Sequence, residues 1–259
     1  MLEKIAYSIC HVPSNSDIRM QNYENLLNAM PKELHIFPPS VVHLKNSADY
    51  KIATQKFNKI NIKNYLYPEV SNPYNQTVRG GDGPYKNIQF PNSNGEIGLY
   101  FSAYSTFKRF LTSKFEYLIW IEDDSVVMPN FKNNLTECLN NVNFQFDLIS
   151  LGMQQYQLNY YQPYYEDFGN EYFSKVYQVF WAGGILFSRN GIQKIINDLE
   201  TNGIAYPFDW YLYNIRAKNL QPISFDAFNI KPNKPMLVKP DEISSINSTI
   251  DATDKIGAK

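Results

Sequence analysis

Three adjacent carboxylates, Glu122, Asp123 and Asp124, follow directly on the apolar run Tyr117-Leu118-Ile119-Trp120-Ile121. Carboxylates converging on one point repel each other unless a cation lies between them. Hard oxygen donors of this kind suit magnesium or manganese, and an ion so bound holds a substrate diphosphate. The competing reading is a solvated acidic turn that closes an edge strand.

The apolar run has the length and continuity of a strand covered on both faces. Its carboxyl end is where open α/β sheets bind ligands. Alternation along the strand sends Glu122 and Asp124 to one side and Asp123 to the other. Around it, the chain alternates strand and helix patterns. Strands are expected at Lys4 to Cys10, Leu34 to Phe37, Phe146 to Gly152 and Val179 to Ser188. Helices are expected from Ile18 to Met30, from a Ser93–Glu96 capping box onward, from Pro129 to Asn141, from Asn190 to Leu199 and after Pro207. The third-quoted strand is followed by a stretch, Met153 to Tyr177, crowded with tyrosine. It reads as a hairpin with tyrosine cross-strand pairs, as a platform on which sugar rings stack, or as both. Val78 to Pro84 reads as a surface turn or a lid, and no Walker sequence follows it. In the strand from Val179, the pair Gly183-Gly184 permits a bulge or a close approach of backbone to a ligand.

Composition narrows the options. The chain has 259 residues, 44 % of them hydrophobic, which supports one large core. Lys plus Arg number 24 against 25 Asp plus Glu, a net charge of −1 that gives no general footprint for nucleic acid. The 20 Tyr and 17 Phe against 3 Trp suit surfaces that stack on rings and donate hydrogen bonds. Cys10 and Cys138 have no metal-spaced partners and are expected as free thiols. No segment approaches the ~20 apolar residues that cross a bilayer, and the N-terminal residues lack a signal-peptide pattern. The expectation is a cytoplasmic protein with one domain over residues 1–240 and a flexible tail over 241–259, peripheral membrane contact remaining open.

Several segments, taken in order, resemble glycosyltransferase family 25, which includes lipopolysaccharide-type and collagen galactosyltransferases. Gly95-Glu96-Ile97-Gly98 with Ser102 is similar to that family's helix start, and Tyr117 to Asp124 to its acidic strand. Phe146 to Gly152, Gly183 to Gly191 and Pro207-Phe208-Asp209-Trp210 resemble its later segments, and Arg19 its early arginine. Ala103 and Gly184 depart from the family pattern, which has histidine and threonine there. The resemblance implies a GT-A type α/β domain with a central mixed, mostly parallel sheet flanked by helices. It also implies a nucleotide-sugar donor, expected to be a UDP-sugar, a divalent ion, and inversion at the anomeric carbon.

On that footing the expected metal ligands are Asp124 and Glu122. Arg19, Glu122, Asp123, Gly183 and Gly184 are candidates for donor contacts, although Arg19 also reads as a surface arginine on the first helix. Inversion in one step requires a general base for the acceptor hydroxyl. Asp209 is the candidate, with helix capping as its other role. Glu96 is a second candidate, with closure of the capping box as its other role. His11 ends the first strand and lines the nucleotide pocket or serves a structural purpose. The expected activity is hexosyl or pentosyl transfer to a surface saccharide, as in lipopolysaccharide biosynthesis. Alternatives are a viral DNA-modifying transferase acting on a hydroxylated base, with Lys51, Lys56, Lys59 and Lys63 as a patch, and a non-catalytic carbohydrate-binding protein.

Overall fold

The computed structural model describes residues 2–11, 17–62, 65–66, 70–71, 77–79, 89–90, 94–152, 165–176, 181–204, 208–212 and 225–241. Outside these lie most of the 78–84 loop, Ser93 of the expected capping box, Lys63, Pro207, the tyrosines at 156, 160, 161, 164 and 177, and the expected tail beyond Asp241.

The chain opens with strand β1 (Ile5–Cys10), every residue of which is buried. Helix α1 (Asp17–Ala29) follows and leads to the short edge strand β2 (His35–Ile36). Leu26 and Met30 are buried, as the apolar spacing of this helix predicts. Asn46 then caps α2 (Ser47–Lys56) through bonds from Ala48 and Asp49 amides. Short strands β3 (Tyr65–Leu66), β4 (Val70–Ser71), β5 (Thr77–Arg79) and β6 (Gln89–Phe90) form two small ribbons.

Helix α3 (Asn94–Phe110) supplies the core beneath the sheet. The apolar spacing predicts a stripe of Ile97, Tyr100, Phe101, Tyr104, Phe107 and Leu111; the first five are buried, and Leu111 lies just past the helix and is partly buried. The Phe107 ring meets Trp120 edge-on at 5.7 Å and Phe187 at 5.0 Å, while Phe101 stacks on Phe57 at 4.4 Å. A second face, Gly98, Ser102 and Thr106, is buried too, because residues 40–42 run across it. The Val42 amide donates to Ser102 Oγ at 2.8 Å and the Ser40 amide to Thr106 Oγ1 at 2.9 Å. Gly98 permits this approach: a β-carbon there would stand 2.8 Å from the Val42 carbonyl oxygen.

The acidic strand is β7 (Tyr117–Glu122), followed after a two-residue turn by β8 (Ser125–Val127). Helix α4 (Phe131–Asn140) and β9 (Leu148–Ser150) come next. Strands β10 (Tyr165–Glu166) and β11 (Phe173–Val176) form an antiparallel pair, but its partners are Tyr165 with Val176 and Glu166 with Lys175, so the expected tyrosine cross-strand pairs do not occur among the described residues. The two described tyrosines of the tyrosine-rich segment, Tyr165 and Tyr172, are buried and not displayed as a platform. Then come β12 (Gly184–Ser188), α5 (Arg189–Asn202), capped by Ser188, and the short α6 (Phe208–Leu212). Strands β13 (Ala227–Ile230) and β14 (Val238–Pro240) complete the described elements.

The main sheet has eight strands in the order β10-β11-β13-β9-β12-β7-β1-β2. It is a mixed α/β sheet, as expected, but parallel pairing does not dominate it. Parallel neighbours are confined to β2–β1–β7 and β13–β9. Strand β12 inserts antiparallel between β7 and β9, and β11 and β10 extend the far edge antiparallel. Strand β1 has β2 on one side and β7 on the other, so the carboxyl ends of β1 and β7 stand at the kind of switch point where α/β sheets bind ligands.

Candidate active site

The carboxyl end of β7 carries Glu122, Asp123 and Asp124 into a turn whose backbone is tied to four other parts of the chain. The Glu122 amide donates to the Gly183 carbonyl at 3.2 Å, and the Asp123 amide to the Cys10 carbonyl at 3.2 Å. The Asp123 carbonyl accepts from Asn22 Nδ2 of α1 at 2.8 Å. The Asp124 carbonyl accepts from the Asp241 amide at 2.7 Å. Ser125 Oγ donates to the Gly183 carbonyl at 2.8 Å. A turn held this way keeps its side chains in place before any ligand arrives.

The three acids divide as strand alternation predicts. Asp123 is buried against α1 and the end of β1. Its Oδ2 lies 2.8 Å from His11 Nδ1, and its Oδ1 lies 3.4 Å from Arg19 Nη1. The His11 ring stacks on Tyr23 with centroids 4.6 Å apart. Arg19 is therefore a buried partner of Asp123, not a surface arginine. Glu122 and Asp124 face other acids instead. Burial raises the Glu122 pKa well above the ordinary carboxylate value, and the nearby charges of Asp124, Asp209 and Asp123 add to it while Arg19 opposes them. Burial likewise pushes Asp124 up to about 6, with Asp123 adding and Arg19 opposing. One oxygen of each, Glu122 Oε1 and Asp124 Oδ1, is shielded from solvent and accepts no hydrogen bond.

Buried anionic oxygens without donors are costly unless a cation or a proton meets them. Among the described residues, no three His, Cys, Asp or Glu side chains form a ready metal cluster. The donor set is two carboxylates. It fits an ion of the magnesium type, which takes one or two protein carboxylates and completes its shell with substrate phosphate oxygens and water.

Asp209, in the first turn of α6, is brought into electrostatic range of Glu122. Helix α6 is fixed by Phe208, whose ring meets Tyr100 of α3 at 5.1 Å. Glu96 is buried in the first turn of α3. Gly183 and Gly184 lie beside the acid turn with neighbours over them. A β-carbon on Gly183 would stand 2.3 Å from the Trp181 indole, and one on Gly184 2.8 Å from the Val238 side chain. The pair thus admits protein groups, and Gly183 serves the turn through its carbonyl.

Four contributors carried no distinguishing signal in the sequence: Asn22, Ser125, Trp181 and Asp241. The His11–Asp123 contact follows from strand register, for which no local residue gives a signal. Strands β1 and β7 pair in parallel with Cys10 opposite Glu122, so the residues that follow them are neighbours.

Residues 45–212 match the model of Glycosyltransferase family 25 (LPS biosynthesis protein), and the chain belongs to that family. Glycosyl transfer is the activity that membership carries. The matched segment includes Glu96, the acid turn, Gly183, Gly184 and Asp209, whereas His11, Arg19 and Asp241 lie outside it. Among solved structures, the chain is similar to the crystal structure of A197 from STIV, at 11 % identity and a TM-score of 0.39, over 87 % of this chain and 80 % of that one. No curated protein matches the sequence. No helix among the described residues is long and apolar enough to cross a membrane.

Proposed function

We propose that this glycosyltransferase moves a hexose or pentose from a nucleotide-sugar, a UDP-sugar being the first choice, to a hydroxyl of a surface saccharide, with inversion. The observation that carries this reading is the pair of buried, donorless oxygens on Glu122 and Asp124, with Asp209 close enough to perturb Glu122.

Glu122 and Asp124 would hold a magnesium or manganese ion, which when bound supplies positive charge against the departing diphosphate. The chain's own groups do the rest. The Asn22 side-chain bond and the backbone bonds to Cys10 and Gly183 hold the turn that carries both carboxylates. Arg19 and His11 draw Asp123 to the α1 side, so that it does not compete for the same ion. Asp209 accepts the proton of the acceptor hydroxyl as the new glycosidic bond forms at the anomeric carbon. Glu96 acts from the first turn of α3, by positioning that helix. A cytoplasmic setting suits such donors.

The test is donor hydrolysis with and without manganese, followed across UDP- and GDP-sugars. Wild-type protein is expected to hydrolyse one of them slowly and only with the metal. Asp124→Ala is expected to lower the rate at least 100-fold, in line with the loss of a principal electrostatic group at a transition state. Metal-independent hydrolysis, or an unaffected Asp124→Ala variant, would remove the cation from this account.

A further inference from the structure

The stretch from Leu237 to Asp241 is woven under the acid turn. Strand β14 pairs antiparallel with β8, Val238 opposite Val127 and Pro240 opposite Ser125. The Leu237 amide donates to the Leu151 carbonyl at 2.9 Å, and the Met128 amide donates to the Leu237 carbonyl at 2.9 Å. Two glycines make room for Val238. A β-carbon on Gly152 would stand 1.8 Å from the Val238 carbonyl oxygen, and one on Gly184 would meet the Val238 side chain. The segment ends where the Asp241 amide bonds the carbonyl of Asp124 at 2.7 Å. It lies beyond residues 45–212, the part matched by the family model.

We infer that Asp241 is a positioning residue of the donor site, whose backbone N–H locks the Asp124 carbonyl and so holds the Asp124 carboxylate toward the cation. This rests on the reading that Glu122 and Asp124 bind a divalent ion. The hydrogen bond to Asp124 comes from the Asp241 backbone, while the Asp241 carboxylate adds negative charge near Asp124; proline and alanine at 241 both remove that carboxylate and differ in the N–H. Proline lacks that N–H and alanine retains it.

Manganese affinity, read by electron paramagnetic resonance of the free ion, tests this with UDP and GDP each present in turn. Asp241→Pro is expected to bind manganese about five-fold more weakly than Asp241→Ala, the span of one lost backbone bond. In steady state the loss is expected in donor KM more than in kcat. Should the proline variant not fold, judged by near-ultraviolet circular dichroism, Val238→Ala carries the same test. It loosens the strap under Gly184 without touching an acid and is expected to weaken manganese binding while the fold persists. Equal affinity of Asp241→Pro and Asp241→Ala, or wild-type affinity in a folded Val238→Ala, overturns the inference while the cation site stands. Failure of wild-type protein to bind manganese with either nucleotide overturns the cation reading and this inference with it.

Discussion

At the scale of single residues, the acid turn shows how three identical charges acquire different duties from their surroundings. Asp123 is held in place by the Arg19 guanidinium and by His11, whose Nδ1 faces it. Glu122 and Asp124 have no such partners on their inner oxygens, which on the proposed reading a cation meets. Asp209 stands apart from the strand and enters from α6, which suits a base that must meet the acceptor and not the diphosphate. Asp209→Asn is therefore expected to keep nucleotide affinity within about two-fold and to lower transfer 10²- to 10⁴-fold, the usual span for a general base. Calorimetric titration of the nucleotide beside a transfer assay checks both halves; unchanged transfer would return Asp209 to a capping role. The triplet and its side-to-side division were legible in the sequence, because alternation is a property of any strand. The attachment of Asp123 to His11 was not, since it depends on the register of β1 against β7, which local sequence does not encode.

At the scale of elements, helix α3 explains a motif better than proximity to the substrate does. Glu96, Gly98 and Ser102 belong to the stretch that carried the family resemblance. Two of them, Gly98 and Ser102, fasten residues 40–42: one by leaving space, the other by accepting the Val42 amide. Ser102 Oγ also donates to the Gly98 carbonyl at 2.7 Å, so both of its capacities are used. Ser102→Ala leaves the Val42 amide without its acceptor and is expected to cost about 1–3 kcal/mol of stability. Nucleotide affinity should hardly change. Urea unfolding monitored by tryptophan fluorescence measures the first effect, and a much larger loss of binding than of stability would reassign the motif to the site. Long amphipathic elements such as α3 and α5 were readable because their apolar spacing is sustained over several turns. Strands β2, β8, β13 and β14 were not read or were overextended. They are two to four residues long, and such pieces are defined by their partners and not by their own pattern. The same holds for the antiparallel insertion of β12, which no residue in Gly184–Ser188 announces.

At the scale of the whole molecule, net charge is nearly balanced at −1, yet acids are concentrated at one end of the sheet. This gives stability a definite dependence on pH. The folded-state pKa of Asp124, about 6, lies above the ordinary value of 3.8. The folded protein thus binds this proton more tightly than the unfolded chain does. The stability the group contributes is complete below pH 4 and is lost as pH rises through about 6. Burial shifts Glu122 in the same direction. In chelator, the urea midpoint is expected to fall between pH 5 and pH 7 from this source. Manganese with a nucleoside diphosphate should offset the fall, because the ion takes the place of the proton, and its protective effect should grow as pH rises. A midpoint in chelator that climbs over this interval, with manganese having no larger effect at pH 7 than at pH 5, would contradict the arrangement.

The anchors of the acid turn are widely separated along the chain: Cys10 and Asn22 near its start, Gly183 past its middle, Asp241 near its end. Bringing such distant pieces to one point is among the slower tasks in forming a protein. On the ribosome, Glu122 and Asp124 leave the exit tunnel well ahead of the segment that steadies them. A nascent chain that has not yet reached residue 241 would accordingly carry these carboxylates unsteadied, and on the proposed reading it would hold manganese and activated sugar weakly.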